Sequence, residues 1–155
     1  MENQKLEART TEVPLEEKTT YSVIPYLGKD LPQTYRNMIL AKWLRTLRFG
    51  NDYFKLIESH AYFSIYQEYI KLILSRPQCI VRLAVLTDDH DVCLGFSVSE
   101  PDILHYIWTH KDARGIGIAK SLMAFPFRII THLTTAGMSL WNKKFPHAHF
   151  NPFAQ

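Results

Sequence analysis

Two of the six glycines of this 155-residue chain are two positions apart, in the stretch ARGIGIAKSL. Gly115 and Gly117 are flanked by the cations of Arg114 and Lys120. Glycine permits left-handed backbone angles and a close approach of main-chain amides to an anion. The first amides of a helix have no acceptor within the helix and favour a phosphate. The stretch therefore predicts a phosphate-binding turn, and the alternative is a tight strand-to-helix turn without a ligand.

The hydrophobic pattern predicts which elements position this turn. Runs rich in β-branched and aromatic residues predict strands at YSVIPY, QCIVRLAVL, VCLGFSVSE, PDILHYIWT and RIITHL. Apolar residues at helical spacing predict helices at TYRNMILAKWLRTLRF, AYFSIYQEYIKLILSR, IAKSLMAFPF as far as Pro126, and TTAGMSLWNKKF. Asp30 is the expected N-cap of the first helix, and Thr134 or Thr135 that of the last. The order β-α-α-β-β-β-α-β-α indicates an α/β fold with a mixed sheet.

Length and composition predict one domain with a sizeable core. The 46% of hydrophobic and 21% of charged residues are typical of a soluble globular protein. Residues 1–20 are polar and lack aromatic side chains, which predicts a flexible arm before a single domain over residues 21–155. No apolar run approaches the roughly 18 residues that span a bilayer, and the N-terminal segment has no apolar signal region. We therefore expect a cytoplasmic protein that does not bind a membrane.

The formal net charge of +3 is unevenly distributed. Residues 1–20 carry five acidic and three basic side chains, which leaves ten acidic and fifteen basic side chains in residues 21–155. This excess of positive charge suits an anionic cofactor or substrate. Four basic side chains fall on the first predicted helix: Arg36, Lys42, Arg45 and Arg48. We interpret them as a solvated helix face, with a nucleic-acid patch as the less favoured alternative.

The glycine turn also carries a recognisable motif. Arg114, Gly117 and Ala119 form R-x-x-G-x-A, which resembles the acetyl-CoA pyrophosphate loop of the GNAT superfamily of N-acetyltransferases, whose pattern is [Q/R]-x-x-G-x-[G/A]. The motif follows the apolar strand ILHYIWT and the short loop HKDA and opens a helix, and the element order from Tyr21 to about Phe145 is similar to that of a GNAT domain. The short format also resembles small GNAT-like proteins of phage genomes.

The resemblance implies a fold, a cofactor and a set of binding residues. The expected fold is α/β, with a mixed, mostly antiparallel sheet flanked by helices, and the expected co-substrate is acetyl-CoA. In the family, the strand before the motif parts from its neighbour, and a backbone N–H there polarises the thioester carbonyl. The implied pantetheine-binding residues are Ile107, Trp108 and Thr109, and the implied pyrophosphate-binding residues are Arg114, Gly115, Ile116, Gly117, Ile118, Ala119 and Lys120.

Acetyl transfer to an amine also needs groups that move protons. GNAT enzymes often use a Glu as base and, as acid, a Tyr on the helix after the fifth strand. This sequence departs from that pattern, because it has no tyrosine after Tyr106. The last helix offers Ser139 and the strand before it offers His132, but neither residue is a convincing substitute for the acid.

His105 is the first candidate for the base. With a strand period of two it shares a face with Ile107 and Thr109, and histidine transfers protons near pH 7. Glu100, at the end of the preceding strand, is the second candidate. For both side chains, packing in the core without a catalytic role is the alternative.

The C-terminal segment differs most from the family. Only ten residues follow Phe145, whereas a GNAT domain usually has two more strands after its last helix. We expect truncated C-terminal strands and a sheet edge covered by a homodimer or by the N-terminal arm. His147 and His149 lack a third ligand at suitable spacing, so we predict no metal.

These features together predict an acetyl-CoA-dependent N-acetyltransferase that acts on an amine of a small molecule or a protein. The missing tyrosine and the short C-terminus favour one alternative, a non-catalytic GNAT-like module that binds CoA or a partner. A GNAT-like protein that modifies nucleic acid is a further alternative, in which the basic helix face would bind phosphates.

Overall fold

Six strands form one mixed sheet in the computed structural model, which describes residues 20–154. The strands are β1 (Tyr21–Leu27), β2 (Ile80–Leu86), β3 (Cys93–Glu100), β4 (Asp102–Thr109), β5 (Phe127–Ile130) and β6 (His149–Phe150). They lie in the sheet in chain order, with β1 to β4 antiparallel and with β5 and β6 each parallel to the strand before it. The prediction of a mixed, mostly antiparallel sheet is confirmed, and its last strand, β6, has two residues.

Five helices in residues 20–154 connect these strands. They are α1 (Gln33–Gly50), α2 (Asp52–Lys55), α3 (Ser59–Ser75), α4 (Ile118–Leu122) and α5 (Thr135–Lys144), and 3-10 turns lie at Gly28–Asp30 and Lys111–Ala113. The predicted order is confirmed, and the short α2 and β6 are additions to it. The hydroxyl of Thr134 accepts the backbone N–H of Gly137 at 3.0 Å, so the predicted N-cap of the last helix is confirmed.

Two local predictions are wrong. Asp30 belongs to a 3-10 turn, and Pro32 occupies the N-cap position of α1. The helix after the glycines ends at Leu122 rather than at Pro126, because the chain must turn before it enters β5 at Phe127.

The sheet separates two layers of helices. One face is covered by α1 and α3, and its buried side chains include Trp43, Leu47, Ile70, Phe96 and Tyr106. The other face is covered by α4 and α5, and its buried side chains include Leu104, Ile118, Leu122, Phe127 and Leu133. Each fully buried large apolar side chain contributes roughly 1.5–3 kcal/mol. β4 therefore lies between two packed apolar layers.

A β-bulge interrupts the pairing of β3 with β4. Val98 pairs with Tyr106 and Ser99 pairs with Leu104, so His105 is the extra residue. The alternation of faces breaks there, because Leu104 and Ile107 pack against α5 whereas Tyr106, between them, packs against α1. The prediction that His105 shares a face with Ile107 by a strict period of two is therefore wrong.

The parallel pairing of β4 with β5 is short. Asp102, Ile103 and Leu104 have partners on β5, and the N–H of Thr131 donates to the carbonyl of Leu104 at 3.1 Å. β4 continues to Thr109 without a strand on that side among the described residues. The two strands part beyond Leu104, and we call the space between them the gap.

The backbone phase of β4 determines which of its groups face the gap. The N–H of His110 donates to the carbonyl of Leu94 on β3 at 2.8 Å. Since backbone groups alternate along a strand, the polar backbone atoms of Trp108 face β3. Those of Ile107 and Thr109 face the gap.

Three further predictions concern the ends of the chain and the membrane. The flexible arm predicted for residues 1–20 lies, apart from residue 20, outside the described residues. The homodimer predicted to cover the sheet edge stays a prediction. Within residues 20–154, none of the helices has the length and apolar character that crossing a bilayer requires.

Candidate active site

A cavity of about 670 Å³ lies at the open end of the gap, and we call it the main cavity. Nine of the ten residues that the resemblance assigns to CoA line it, namely Ile107, Trp108, Thr109, Arg114, Gly115, Gly117, Ile118, Ala119 and Lys120. The tenth, Ile116, does not line it. Its volume is typical of a small-molecule or cofactor site. Residues that are far apart in the chain thus surround one space.

The two glycines of the turn have left-handed backbone angles, as the sequence predicted. Gly115 has φ 85° and Gly117 has φ 89°, a region that side-chain-bearing residues rarely adopt. A Cβ at Gly115 would meet no atom within 4 Å, and one at Gly117 would meet only the hydroxyl of Tyr21 at 3.8 Å. The backbone conformation thus favours glycine at both positions, and the space beside the turn is open.

The turn presents main-chain donors to the main cavity. The N–H groups of residues 117–120 have no hydrogen-bond acceptor in the described part of the chain. Because α4 has only five residues, these free amides matter more than the helix dipole. Arg114 and Lys120 add two positive charges beside them. The arrangement can bind an anionic group such as a phosphate through backbone N–H donors.

A side chain from the first strand holds the turn in place. The hydroxyl of Tyr21 lies 2.8 Å from the hydroxyl of Ser121, and Ser121 donates to the carbonyl of Gly117 at 3.1 Å. Ile118 and Leu122 are buried beneath the turn. Sequence reasoning missed Tyr21, because nothing in its local sequence indicates a contact with a residue one hundred positions later.

Tyr106 contributes a hydroxyl to the cavity wall that the sequence did not reveal. It stacks on Trp43 with a centroid distance of 5.0 Å and an interplanar angle of 2°. Its hydroxyl donates to Thr46 Oγ1 at 2.7 Å, since the Thr46 hydroxyl is itself donated to the carbonyl of Lys42 at 2.6 Å. Burial raises the pKa of Tyr106 to about 12. The side chain is therefore a neutral hydrogen-bonding group at physiological pH.

The two predicted bases lie close together but do not line the main cavity. His105 is fully buried, and its Nε2 lies 2.6 Å from Glu100 Oε2. Arg76 Nη1 donates to the same oxygen at 2.9 Å. The bulge directs His105 into this buried group rather than toward the cavity. Its role as the direct base stays a prediction.

Burial and pairing determine the charges of this group. Burial lowers the pKa of His105, and the neighbouring Glu100 only partly opposes that shift. Burial alone would raise the pKa of Glu100, but hydrogen bonds from His105 and Arg76 hold it below its usual value. The contact is therefore a neutral imidazole N–H that donates to a carboxylate.

The two candidates for the missing acid have different surroundings. Ser139 is exposed on α5 and does not line the main cavity, although its neighbours Gly137 and Leu140 do. His132 is 7% exposed and packs against Trp43 and α3, with a ring-centroid distance to Trp43 of 5.5 Å. Burial, with a contribution from His105, lowers the pKa of His132 to about 4. His132 is thus neutral near pH 7.

Two of the four basic side chains of the first helix make intramolecular hydrogen bonds, whereas Lys42 and Arg45 are exposed. Arg36 donates to the carbonyl of Gly28 at 2.8 Å, and Arg48 donates to the carbonyls of Phe54 and Ile57 at 3.1 and 2.9 Å. These contacts organise the turns at the two ends of α1. Across residues 20–154, no three His, Cys, Asp or Glu side chains form a cluster that could hold a metal ion.

Several solved structures that the chain matches are acetyltransferases. A protein from Pyrococcus furiosus described as an acetyl transferase is 16% identical, with a TM-score of 0.46 and with 85% of this chain and 80% of that chain covered. A ribosomal-protein-alanine N-acetyltransferase from Brucella melitensis biovar Abortus 2308 is 15% identical, with a TM-score of 0.39 and coverages of 84% and 77%. An aminoglycoside N-acetyltransferase in complex with CoA is 13% identical, with a TM-score of 0.38 and coverages of 87% and 77%.

No protein-family model matches the chain, and no curated protein matches it significantly. The TM-scores given above are all below 0.5. The assignment of an activity therefore depends on the geometry of the chain's own gap, turn and cavity.

Proposed function

We propose that this chain is a GNAT-type N-acetyltransferase that transfers an acetyl group from acetyl-CoA to an amine. The observation that carries the proposal is the placement of the glycine turn, with its free amides, at the open end of the gap in the sheet. An anion site and an unoccupied strand edge thus meet at one cavity. CoA has a diphosphate and an amide-containing arm that match these two features.

The glycine turn would bind the diphosphate. The free N–H groups of residues 117–120 can donate to phosphate oxygens, and Arg114 and Lys120 would offset the negative charge. The side-chain-free positions Gly115 and Gly117 allow the phosphates to approach the backbone. Ile118 and Leu122 fix the turn from below, so little ordering is needed on binding.

The edge of β4 would bind the pantetheine arm. The backbone groups of Ile107 and Thr109 face the gap, where an extended ligand with amide groups can hydrogen-bond like an added strand. An N–H at this edge would also stabilise the negative charge that develops on the thioester oxygen, which is worth a few kcal/mol in a preorganised site.

A non-catalytic CoA-binding module is the second candidate. It is favoured by the burial of His105 and Glu100 outside the main cavity and by the exposure of Ser139 away from it. A nucleic-acid-modifying function is less favoured, because Arg36 and Arg48 donate to carbonyls of the chain itself.

Calorimetric titration with acetyl-CoA and CoA tests the cofactor assignment. Gly117→Glu places a carboxylate within the turn and should abolish binding. Ser139→Glu adds the same charge on an exposed helix position outside the main cavity, and it should bind like the wild type. Wild-type protein that binds neither compound would contradict the proposal.

Release of CoA in the presence of amines separates the enzyme from the binding module. We would use spermidine, sisomicin and a peptide with an N-terminal alanine as probes, because they represent polyamine, aminoglycoside and protein amines. Turnover of one of them above the uncatalysed rate supports the acetyltransferase. Tight binding of acetyl-CoA without turnover of any amine supports the module.

A further inference from the structure

Four hydrogen-bonded side chains cross the core beside the gap, and we call them the polar chain. His132 Nδ1 lies 2.8 Å from Thr131 Oγ1, which lies 3.0 Å from His105 Nδ1. His105 Nε2 lies 2.6 Å from Glu100 Oε2. Thr131, His105 and His132 are each no more than 7% exposed. Only Glu100, with a side chain 12% exposed, reaches the surface appreciably.

The charge of Glu100 sets the direction of these hydrogen bonds. A carboxylate only accepts, so His105 donates from Nε2. His105 is neutral because burial lowers its pKa, so its Nδ1 is an acceptor 3.0 Å from the Thr131 hydroxyl, whose other acceptor, the carbonyl of His105, is farther away at 3.3 Å. The oxygen of Thr131 is then available to accept the Nδ1–H of His132. With these tautomers all three bonds point from His132 toward Glu100, and Nε2 of His132 has no hydrogen-bond partner within residues 20–154.

The His132 end of the polar chain lies at the gap. His132 follows Thr131, whose N–H makes the bond to Leu104 beyond which β4 and β5 part. His132 lines a small cavity together with Tyr106 and Ile107, which also line the main cavity. His132 does not itself line the main cavity, but its neighbours in the small cavity include Ile107, whose backbone faces the gap, while the other end of the polar chain reaches the surface at Glu100.

We propose that the polar chain is a proton relay that serves the acetyl transfer in both directions; this inference rests on the proposed function. A neutral amine attacks the thioester carbonyl, and the C–N bond forms. The cationic nitrogen of the adduct gives a proton to His132 Nε2. The Nδ1–H of His132 moves to Thr131, the hydroxyl proton of Thr131 moves to His105 Nδ1, and the Nε2–H of His105 moves to Glu100.

The same relay then runs backward. The C–S bond breaks with its electron pair on sulfur, and the thiolate takes the proton from His132 Nε2. Each link of the polar chain recovers its original proton, and Glu100 becomes a carboxylate again. The sum is amine plus acetyl-CoA giving amide plus CoA, with no proton gained or lost. One histidine thus supplies both the base and the acid, which accounts for the absence of a tyrosine after Tyr106.

The surroundings of the polar chain set its charges before any proton moves. The rings of Tyr66 and Tyr69 on α3 pack beside His132 at centroid distances of 6.2 and 5.8 Å, and burial raises the pKa of Tyr66. Near Glu100, Arg76 supplies a positive charge, and burial raises the pKa of Cys79 to about 12, so that the thiol stays protonated. Before any proton moves, Arg76 and Glu100 therefore form an ion pair, and His105, Thr131 and His132 are neutral.

Thr131→Val and Thr131→Ser test the relay. Valine has nearly the same shape but breaks the link between the two histidines, whereas serine keeps the hydroxyl. CoA release from acetyl-CoA would be measured with hydroxylamine, a small amine that needs no specific acceptor pocket. We expect Thr131→Val to lower kcat roughly 100-fold with unchanged acetyl-CoA affinity by calorimetry, and Thr131→Ser to restore most of the rate.

Several outcomes would overturn the relay. Equal rates of CoA release by Thr131→Val and the wild type would overturn it, and so would wild-type protein that binds acetyl-CoA but does not catalyse CoA release. Neither outcome would contradict the proposed acetyl-CoA site. Wild-type protein that does not bind acetyl-CoA would instead contradict the proposed function itself.

A second measurement decides the case if Thr131→Val fails to fold. Nitrogen-15 NMR of the histidine rings in the wild type reports which nitrogen carries the proton. The relay requires the Nε2–H form of His105 and the Nδ1–H form of His132 near pH 7. Either opposite form would break the continuous order of donors and overturn the proposal.

Discussion

The two regions of β4 differ in the chemistry that they present. The carboxyl end, beside the glycine turn, presents mainly backbone groups to an open cavity. The middle of the strand, at His105, presents a side chain to a closed group with Glu100 and Arg76. Open backbone donors can bind a charged ligand at little cost in desolvation. A buried polar group must satisfy its hydrogen bonds within the protein, because water cannot do so.

This comparison predicts that the buried region dominates stability and that the open region dominates ligand binding. The changes below test that division from the largest expected effect on stability to the smallest. A change at Arg76 or His132 should alter folding strongly. A change in the glycine turn or at Tyr21 should alter acetyl-CoA affinity more than folding.

Arg76→Ala should have the largest effect. It leaves the carboxylate of Glu100 mostly buried with only a neutral donor, and removal of one partner from such a pair costs about 3 kcal/mol. Urea unfolding at pH 7 measures the free energy of unfolding. Arg76→Met combined with Glu100→Gln removes both charges and should recover most of the loss. A value for Arg76→Ala within about 0.5 kcal/mol of the wild type would contradict the assignment.

Acid should destabilise the protein through His132. Its folded pKa of about 4 lies below the usual histidine value of 6.5, so the unfolded chain binds the proton first as the pH falls. The stability associated with neutral His132 is complete above about pH 6.5 and decreases toward pH 4, by a total on the order of 2–3 kcal/mol. Urea unfolding between pH 7 and pH 4.5 measures this slope.

His132→Asn is the matched variant for the acid effect. Its side-chain amide keeps a donor toward Thr131 but does not titrate. The free energy of unfolding of the variant should decrease less between pH 6.5 and pH 4 than that of the wild type. The decrease that remains is due partly to His105, because burial also lowers the pKa of that residue. An unchanged slope would show that His132 is not a buried neutral group in the folded protein.

Gly115→Ala should have a moderate effect on stability. No atom lies within 4 Å of the added Cβ, so the cost comes from the left-handed angle alone and amounts to about 1–2 kcal/mol. Gly115→Asn should cost less, since asparagine tolerates this region. Titration should show that the affinity for acetyl-CoA decreases from the wild type to Gly115→Asn and further to Gly115→Ala. Equal affinities of the three proteins for acetyl-CoA would show that Gly115 does not contribute to ligand binding.

Tyr21→Phe should have the smallest effect on stability. It removes one partly buried hydrogen bond to Ser121, worth about 0.5–1.5 kcal/mol, and loosens the turn that holds the free amides. Tyr26→Phe, in the same strand, removes a hydroxyl without a hydrogen bond in the described part of the chain. Calorimetry should show weaker acetyl-CoA binding for Tyr21→Phe only.

The sequence predicted the features that depend on local interactions. Strand and helix positions follow from the spacing of apolar residues, and the left-handed angles at Gly115 and Gly117 follow from the residue type. The N-cap at Thr134 is likewise a local hydrogen bond. The nine cavity residues were reached through the resemblance to a family motif, which is itself a short local pattern.

The features that the sequence did not predict depend on long-range packing. The bulge that leaves His105 without a partner on β3 arises from the pairing of two strands, and no local signal marks the extra residue. The contacts of Tyr21 with Ser121 and of Tyr106 with Thr46 join distant elements. A strict period of two therefore gave the wrong face for His105.

By itself, the sequence determined the order of elements and the conformation of the glycine turn, because side-chain shape and backbone freedom act over a few residues. Only the tertiary structure decided which groups meet. It opened the gap beyond Leu104, directed the backbone of Ile107 into that gap and joined His132 to Glu100 through Thr131 and His105. These arrangements depend on strand register and on desolvation within a packed core, and both are properties of the assembled fold.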